Sequence, residues 1–286
     1  SIDNETWTEE YDYTARETAF KSMLAGRRRH GADGPPGLAK MVLDDLLFFR
    51  HSTREIQDQF ARLELEGPIR RGVFHVVNSQ ELFRIQLELT NHGVKQTFRF
   101  WSEQQKSEYI AHASEIIGAL RAMGFEACLG YGGVLSVVRD QDMIPHDDDI
   151  DVIVSAPREA FPVLNDFIAH VGTKLREAGF EEAGNFVSHR HVHRPGWSAS
   201  VDLFFGFSEG PFVAWYPGPR QGLLREAVFP PIACTFFGVE ILIPRNPFSY
   251  LEHVYGPSWA RPQPGWNHGW IESEYADWFQ PPSQSP

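Results

Sequence analysis

The chain has 286 residues, 42% hydrophobic and 13% aromatic, with 26 Lys and Arg against 38 Asp and Glu for a net charge of −12 at pH 7. That is apolar mass for a core in one large domain or two smaller ones. The acidic balance excludes a long nucleic-acid polymer as partner, because gripping a phosphate backbone needs a basic stripe.

No run of about 18 apolar residues occurs, so no transmembrane helix is expected. The start at Ser1 lacks the basic-then-apolar pattern of a signal peptide, which leads us to expect a cytoplasmic protein, at most peripheral at a membrane face. The absent initiator Met leads us to expect an excised piece, and a place within a longer multidomain polypeptide stays open. Cys128 and Cys234 are the two cysteines. Two such residues in apolar strand-like surroundings fit a reducing compartment better than a disulfide framework or zinc knuckle, although one distant disulfide stays open.

In chain order, residues 1–35 read as a flexible segment ending in Arg27-Arg28-Arg29 and Gly34-Pro35-Pro36, with the Arg run taken as a solvated loop. Residues 36–101 read as an accessory region. Two helices over Leu38–Leu65 break near His51, and a small antiparallel sheet uses Val73–Val77, Leu82–Leu89 and Val94–Trp101. From residue 102 to 279 the pattern is that of one catalytic domain. Ser102 caps a helix running to Gly124, and Phe125–Leu129 is a short strand. Gly132-Gly133 turn the chain into Val134–Val138, and Ile150–Val154 forms the next strand. Arg158–Ala178 is helical, Phe186–His193 and Ser198–Phe205 pair as strands, and Ile232–Ile243 is a hairpin turning at Phe237-Gly238. The fold class is α+β, a mixed sheet flanked by helices, followed by a tail at 280–286.

The chemistry concentrates in Ile144-Pro-His-Asp-Asp-Asp-Ile-Asp151. Asp149 and Asp151 alternate with Ile150 and Val152, so on a strand both carboxylates share a face while the apolar residues enter the core. Anions held that close repel unless a cation sits between them. Mg²⁺, with Mn²⁺ as substitute, fits because it takes carboxylates together with a substrate's phosphates. Asp147 assists and Asp202, alone in an apolar strand, supplies a third point. An EF-hand reading of Asp147, Asp149 and Asp151 fails, since its sixth position is Val152 where Gly is needed and its twelfth is Arg158 where Glu is needed. A helix-capping or solvating role for the acids is the bland alternative, disfavoured by the interleaved hydrophobic residues. Gly132 and Gly133 let backbone approach a phosphate closely.

Together these elements match the nucleotidyltransferase fold and, within it, the chain resembles the LicD and fukutin-related phosphotransferase family. The resemblance rests on Gly132-Gly-Val-Leu-Ser-Val-Val-Arg139, Ile144–Asp151, Val201-Asp-Leu-Phe204, Ile243-Pro, Tyr250-Leu251 and Tyr255-Gly-Pro-Ser-Trp259. It covers roughly residues 102–262. Gly133 stands for Thr, Ser136 for Gly and His146 for Trp, which bears on donor specificity. The resemblance implies transfer of a phospho-alditol or phosphocholine group from a CDP-linked donor, such as CDP-ribitol, CDP-glycerol or CDP-choline, to a sugar hydroxyl of a glycan or polyol-phosphate acceptor. The setting it implies is cell-surface polysaccharide synthesis, with CMP released.

In that scheme Asp149, Asp151 and Asp202 are the catalytic acids, with Asp147 completing the metal set. Gly132, Gly133, Arg139, His146, Asp148, Arg190 and His191 bind donor phosphate or substrate. Arg139 offers a bidentate fork, and its alternative is an ion pair with Asp140 or Asp142. The row His189, His191 and His193 either lines the donor site, binds a transition metal, or simply makes hydrogen bonds. Trp197, Trp215, Tyr216, Trp259, Trp266 and Trp270 suit a cage for choline, stacking on sugar or base, or ordinary packing. Two rivals stand beside this reading: a nucleotidyltransferase moving a nucleoside monophosphate from a triphosphate, and a catalytically silent nucleotide- or glycan-binding module.

Overall fold

The computed structural model describes residues 67–90, 92–184, 186–263 and 268–280. The expected flexible segment, the paired helices over Leu38–Leu65, Trp266 and the tail lie outside the described residues, except that Gln280 is described. The chain divides into two compact units, Ser1–Phe100 and Trp101–Pro286. No helix among the described residues is long and apolar enough to cross a membrane.

In the first unit, helix α1 (Gly67–Val77) runs into a wide π-type turn (Asn78–Leu82) and a tighter 3-10 turn (Phe83–Ile85), and strands β1 (Glu88–Thr90) and β2 (Gly93–Lys95) form an antiparallel hairpin. Val73–Val77 is therefore helical rather than extended. Val73 and Val77 are four residues apart and both fully buried, packed with Leu82 and Leu89 as a helical stripe requires. Within Leu82–Leu89, only the last two residues are in a strand, because Gln86 reverses the chain in a left-handed conformation (φ 59°). Asn78 ties the turn down, accepting from the Leu89 N–H at 2.7 Å and donating to its carbonyl at 3.1 Å.

The second unit opens with the expected capping box. The Ser102 hydroxyl accepts from the Gln105 N–H while the Gln105 side chain accepts from the Ser102 N–H, starting α2 (Glu103–Ala122). Its buried stripe is Tyr109, Ile110, Ala113, Ile116, Ile117 and Leu120. After β3 (Glu126–Leu129) comes α3 (Tyr131–Leu135), which continues as a wide π-type turn over Ser136–Asp140. The stretch Val134–Val138 thus coils. Gly130 ends β3 by donating to the Asp151 carbonyl at 2.9 Å and starts a helix whose Tyr131, Val134 and Leu135 are buried together.

The mixed sheet has the order β3, β4 (Asp151–Pro157), β7 (Val201–Glu209), β6 (His189–His193), β5 (Glu181–Ala183). The β4–β7 pair is parallel and the other pairs are antiparallel. Strand β6 pairs with the first half of β7, and β8 (Phe212–Trp215) with the second half. Strands β4 and β7 are buried on both faces, hence their near-continuous apolar runs.

One face is covered by α4 (Leu164–Glu177), whose Phe167 packs on Phe205 and Phe207 at centroid distances of 5.7 Å. The expected helix over Arg158–Ala178 is shorter because Pro162 and the extended Phe161 and Val163 interrupt it after one turn at Arg158–Ala160. The other face carries α3 and α6 (Pro247–Tyr255), with the short α5 (Arg225–Val228) beside α6. The hairpin of β9 (Ile232–Phe236) and β10 (Val239–Ile243) turns at Phe237 and Gly238, both at positive φ. It docks on α2 through hydroxyl bonds from Ser107 to the Phe237 carbonyl and from Ser114 to the Glu240 carbonyl, each 2.9 Å.

Candidate active site

Strand β4 begins at Asp151, so Asp147–Ile150 is the irregular approach to the strand and Asp149 precedes it. The parallel register sets Asp151 opposite Asp202, and the antiparallel register sets Asp202 opposite His191. Three candidate site residues thereby share one row and one face across three strands. Two backbone bonds fix the row: Gly130 donates to the Asp151 carbonyl, and Asp202 donates to the Ile150 carbonyl, both at 2.9 Å.

Asp151 is the electrostatic centre. Burial pushes its carboxyl well above the usual carboxylate range, and the charges of Asp149, Asp202 and Asp147 push it further, while a backbone hydrogen bond from Gly132 pulls the other way. Gly132 therefore serves the acids directly. A side chain there would place its Cβ 3.1 Å from Asp147 Oδ2 and 3.9 Å from Asp151 Oδ2. Gly133 faces Leu129 and the Asp151 carbonyl, and a Cβ at Gly130 would sit 2.6 Å from Ile153 Cγ2. The Asp147 carboxylate in turn accepts from the Asp148 N–H at 3.1 Å. Crowded carboxylate oxygens on rigid backbone are the donor set that Mg²⁺ and Mn²⁺ take, and a cation relieves the repulsion that raises Asp151.

Tyrosines to which the sequence assigned no catalytic or binding role surround these acids. The Tyr109 hydroxyl, reaching from α2, accepts from the Ile150 N–H at 3.1 Å and donates to the Ser200 carbonyl, clamping the approaches to Asp151 and Asp202 together. Burial, with the charges of Asp149 and Asp202, pushes this phenol well above its usual range and keeps it a donor. Tyr131 holds an unusual positive φ of 35° just before the glycine pair, and its N–H donates to the Tyr250 hydroxyl of α6 at 3.0 Å. Tyr255 is also within electrostatic reach of Asp151, Asp147 and Arg139. Tyr109 belongs to the buried stripe of α2.

The remaining expected residues divide. His191 Nδ1 lies 2.5 Å from Asp202 Oδ1. Arg139 forms a bidentate ion pair with Asp140 at 2.8–2.9 Å and donates to the Trp259 carbonyl at 3.4 Å, so its fork is engaged within the protein. Arg190 stands opposite Leu203 on the other face of β6 and donates to the carbonyls of Phe186 and His189, away from the acid row. His193 pairs with Glu181 at 3.3 Å at the far end of the strand. His146 is exposed beside the acids, and Asp148 is half-buried there.

Among the aromatics, Trp197 stacks on His112, while Trp215 is core, its indole donating to the Val154 carbonyl at 3.0 Å. Tyr216 is also buried and packs against Tyr275 and Phe279. Trp259 meets Phe248. Trp270 stacks on His268 at 4.3 Å, and both lie edge-on to Tyr131, which packs on Phe204 next to Asp202. An aromatic surface thus adjoins the acid row.

The domain is thus a mixed sheet flanked by helices, with carboxylates at the heads of two adjoining parallel strands. Residues 124–246 match the sequence profile of the family described as LicD/FKTN/FKRP, nucleotidyltransferase domain. The match takes in the glycine pair, every acid of the row and His191. Among solved structures, ANT(2")-Ia in complex with adenylyl-2"-tobramycin aligns at 12% identity over 49% of this chain and 68% of its own, with a TM-score of 0.33. An antigenic nucleotidyltransferase-like protein from Paracoccidioides brasiliensis aligns at 15% identity over 50% and 61%, also with a TM-score of 0.33. The alignments span about two thirds of the length of these structures. The sequence has no match among curated proteins.

Proposed function

We propose that the chain is a metal-dependent phosphotransferase that moves a phospho-alditol or phosphocholine group from a CDP-linked donor to a sugar hydroxyl, releasing CMP. The observation that carries this reading is the row of Asp151 and Asp202 on paired parallel strands, with Asp149 and Asp147 crowding Asp151. Asp147, Asp149 and Asp151 would hold Mg²⁺ or Mn²⁺, with Asp202 adjoining. A bound cation supplies Lewis-acid neutralisation of the pyrophosphate charge.

The chain's own residues do the rest. The acceptor oxygen forms a bond to the phosphorus bearing the small molecule, the bond to the bridging oxygen breaks, and that oxygen leaves with CMP. The hydroxyl proton goes to Asp202 or, where Asp202 joins the metal shell, to solvent. Tyr109 and Gly132 keep the carboxylates in place, and the aromatic surface of Tyr131, His268 and Trp270 offers flat faces for the donor.

A thermal-shift screen tests the reading. With Mg²⁺ present, one of CDP-choline, CDP-ribitol or CDP-glycerol at 100-fold excess over Kd should raise Tm by roughly 5 °C or more. A shift with a nucleoside triphosphate and with none of these donors would favour nucleotidyl transfer instead.

A further inference from the structure

The side of Asp202 turned toward β6 has a different chemistry from the side turned toward Asp151. His189 and His191 are two apart on β6 and project from the same face, His191 directly opposite Asp202 and His189 opposite Phe204. His191 Nδ1 is 2.5 Å from Asp202 Oδ1, and His189 Nε2 is 3.5 Å from Asp202 Oδ2. The three potential ligand atoms lie within 4.8 Å of one another. We propose that His189, His191 and Asp202 form a mixed nitrogen and oxygen metal position for Zn²⁺ or a similar borderline divalent cation, beside the all-oxygen position of Asp147, Asp149 and Asp151.

The distances carry the first part of the case. A separation of 3.5 Å between His189 and Asp202 is long for an N–H to oxygen hydrogen bond. Two ligands bound at about 2.0–2.1 Å to a tetrahedral ion lie roughly 3.3 Å apart. His191 and Asp202, now 2.5 Å apart, would open by about 0.8 Å to admit the ion.

The second part is that the His189 ring is held in a ligand's orientation. Its Nδ1 is hydrogen-bonded with Ser188 Oγ at 2.8 Å, so Nε2 is the nitrogen turned to Asp202. The ring is stacked between Phe186 at 4.7 Å and Phe204 at 5.1 Å. Metal-ligating histidines ordinarily have the second nitrogen engaged in this way. The side chains of His189 and His191 are 18% and 33% exposed. Three protein ligands with an open fourth position are the arrangement of a catalytic rather than a structural zinc. Imidazole nitrogens disfavour Mg²⁺ and Mn²⁺ here and favour Zn²⁺ or Co²⁺. The position shares Asp202 with the proposed transfer reaction but needs no CDP donor to exist.

The test titrates chelator-stripped full chain with Zn²⁺ by calorimetry and with Co²⁺ by visible absorption. The expected result is a Zn²⁺ equivalent whose affinity falls tenfold or more in His191→Ala and in His189→Gln but survives in Asp149→Ala. Wild-type Co²⁺ protein should show the intense visible bands of a four- or five-coordinate nitrogen-containing site. Unchanged Zn²⁺ affinity in folded histidine variants overturns the proposal, as does a weak octahedral all-oxygen Co²⁺ spectrum. The Co²⁺ spectrum decides alone if a variant unfolds. Intact Zn²⁺ binding without CDP-donor turnover would sink the phosphotransferase reading only, and turnover without Zn²⁺ binding would sink this one only.

Discussion

Asp151 and Asp202 stand level on two adjoining parallel strands, each at or next to the first residue of its strand, and the Asp202 N–H bonds the carbonyl immediately before Asp151. The backbone thus fixes the spacing of two acids whose charges repel. Repulsion of this kind is retained where a positive partner uses it, and its cost in the metal-free protein is measurable.

Replacing Asp151 with Asn should raise the stability of the metal-free protein while abolishing turnover. The folded state raises this carboxyl, so ionising it weakens the fold. Stability therefore falls as pH rises from about 4, the ordinary carboxylate value, toward the raised folded value. Urea denaturation from pH 4 to 8 should show that slope in wild type and a flatter one in Asp151→Asn. Each kcal/mol of relieved repulsion corresponds to about 2–4 °C in Tm. A variant less stable than wild type at pH 8 without metal contradicts the crowding.

Removing the Tyr109 hydroxyl strips a partner from the Ile150 N–H and the Ser200 carbonyl. Tyr109→Phe should cost about 2 kcal/mol in chemical denaturation. It should also weaken Mn²⁺ binding, because the approaches to Asp151 and Asp202 are no longer clamped. Unchanged metal affinity would confine Tyr109 to ordinary packing.

Gly130 and Ile153 should be energetically coupled. A Cβ at Gly130 meets Ile153 Cγ2 at 2.6 Å, so Gly130→Ala should destabilise by about 1–3 kcal/mol. Ile153→Ala should cost clearly less in that background than in wild type. A double-mutant cycle with no interaction energy would refute the contact. Gly132→Ala has the different expected signature of weaker metal binding, since its Cβ crowds the Asp147 carboxylate rather than the core.

Both cysteines are unpaired, Cys128 fully buried and Cys234 half-buried, and burial pushes both thiols above their ordinary value. Cys128 should be modified by a thiol reagent only as the protein unfolds, and Cys234 slowly in the native state. Rapid labelling of Cys128 at neutral pH would contradict its place in β3.

The legibility of this chain followed periodicity. The cap at Ser102, the apolar strands after Asp149 and Val201, and the Phe237-Gly238 hairpin each carry a local signal, and all are present. Val73–Val77 and Val134–Val138 misled because β-branched runs read as strands, whereas tertiary burial of residues three and four apart makes them helical. At the site, the acids were visible as crowded like charges. The register that aligns Asp151, Asp202 and His191 was not, because it is set by pairing between segments distant in sequence. Arg190 and His191 are neighbours in sequence, yet strand alternation sends them to opposite faces. Tyr109 and Tyr250 act through their hydroxyls on backbone, which no spacing rule reveals.

The most direct measurement is product analysis by phosphorus NMR, with Mg²⁺ or Mn²⁺, a CDP-linked polyol or choline donor and a glycan acceptor. Wild type should yield CMP and a phosphodiester on the acceptor, with the rate reduced roughly 10³-fold or more in Asp151→Asn. Release of pyrophosphate from a nucleoside triphosphate, or turnover that survives both Asp151→Asn and removal of all divalent ions, would contradict it.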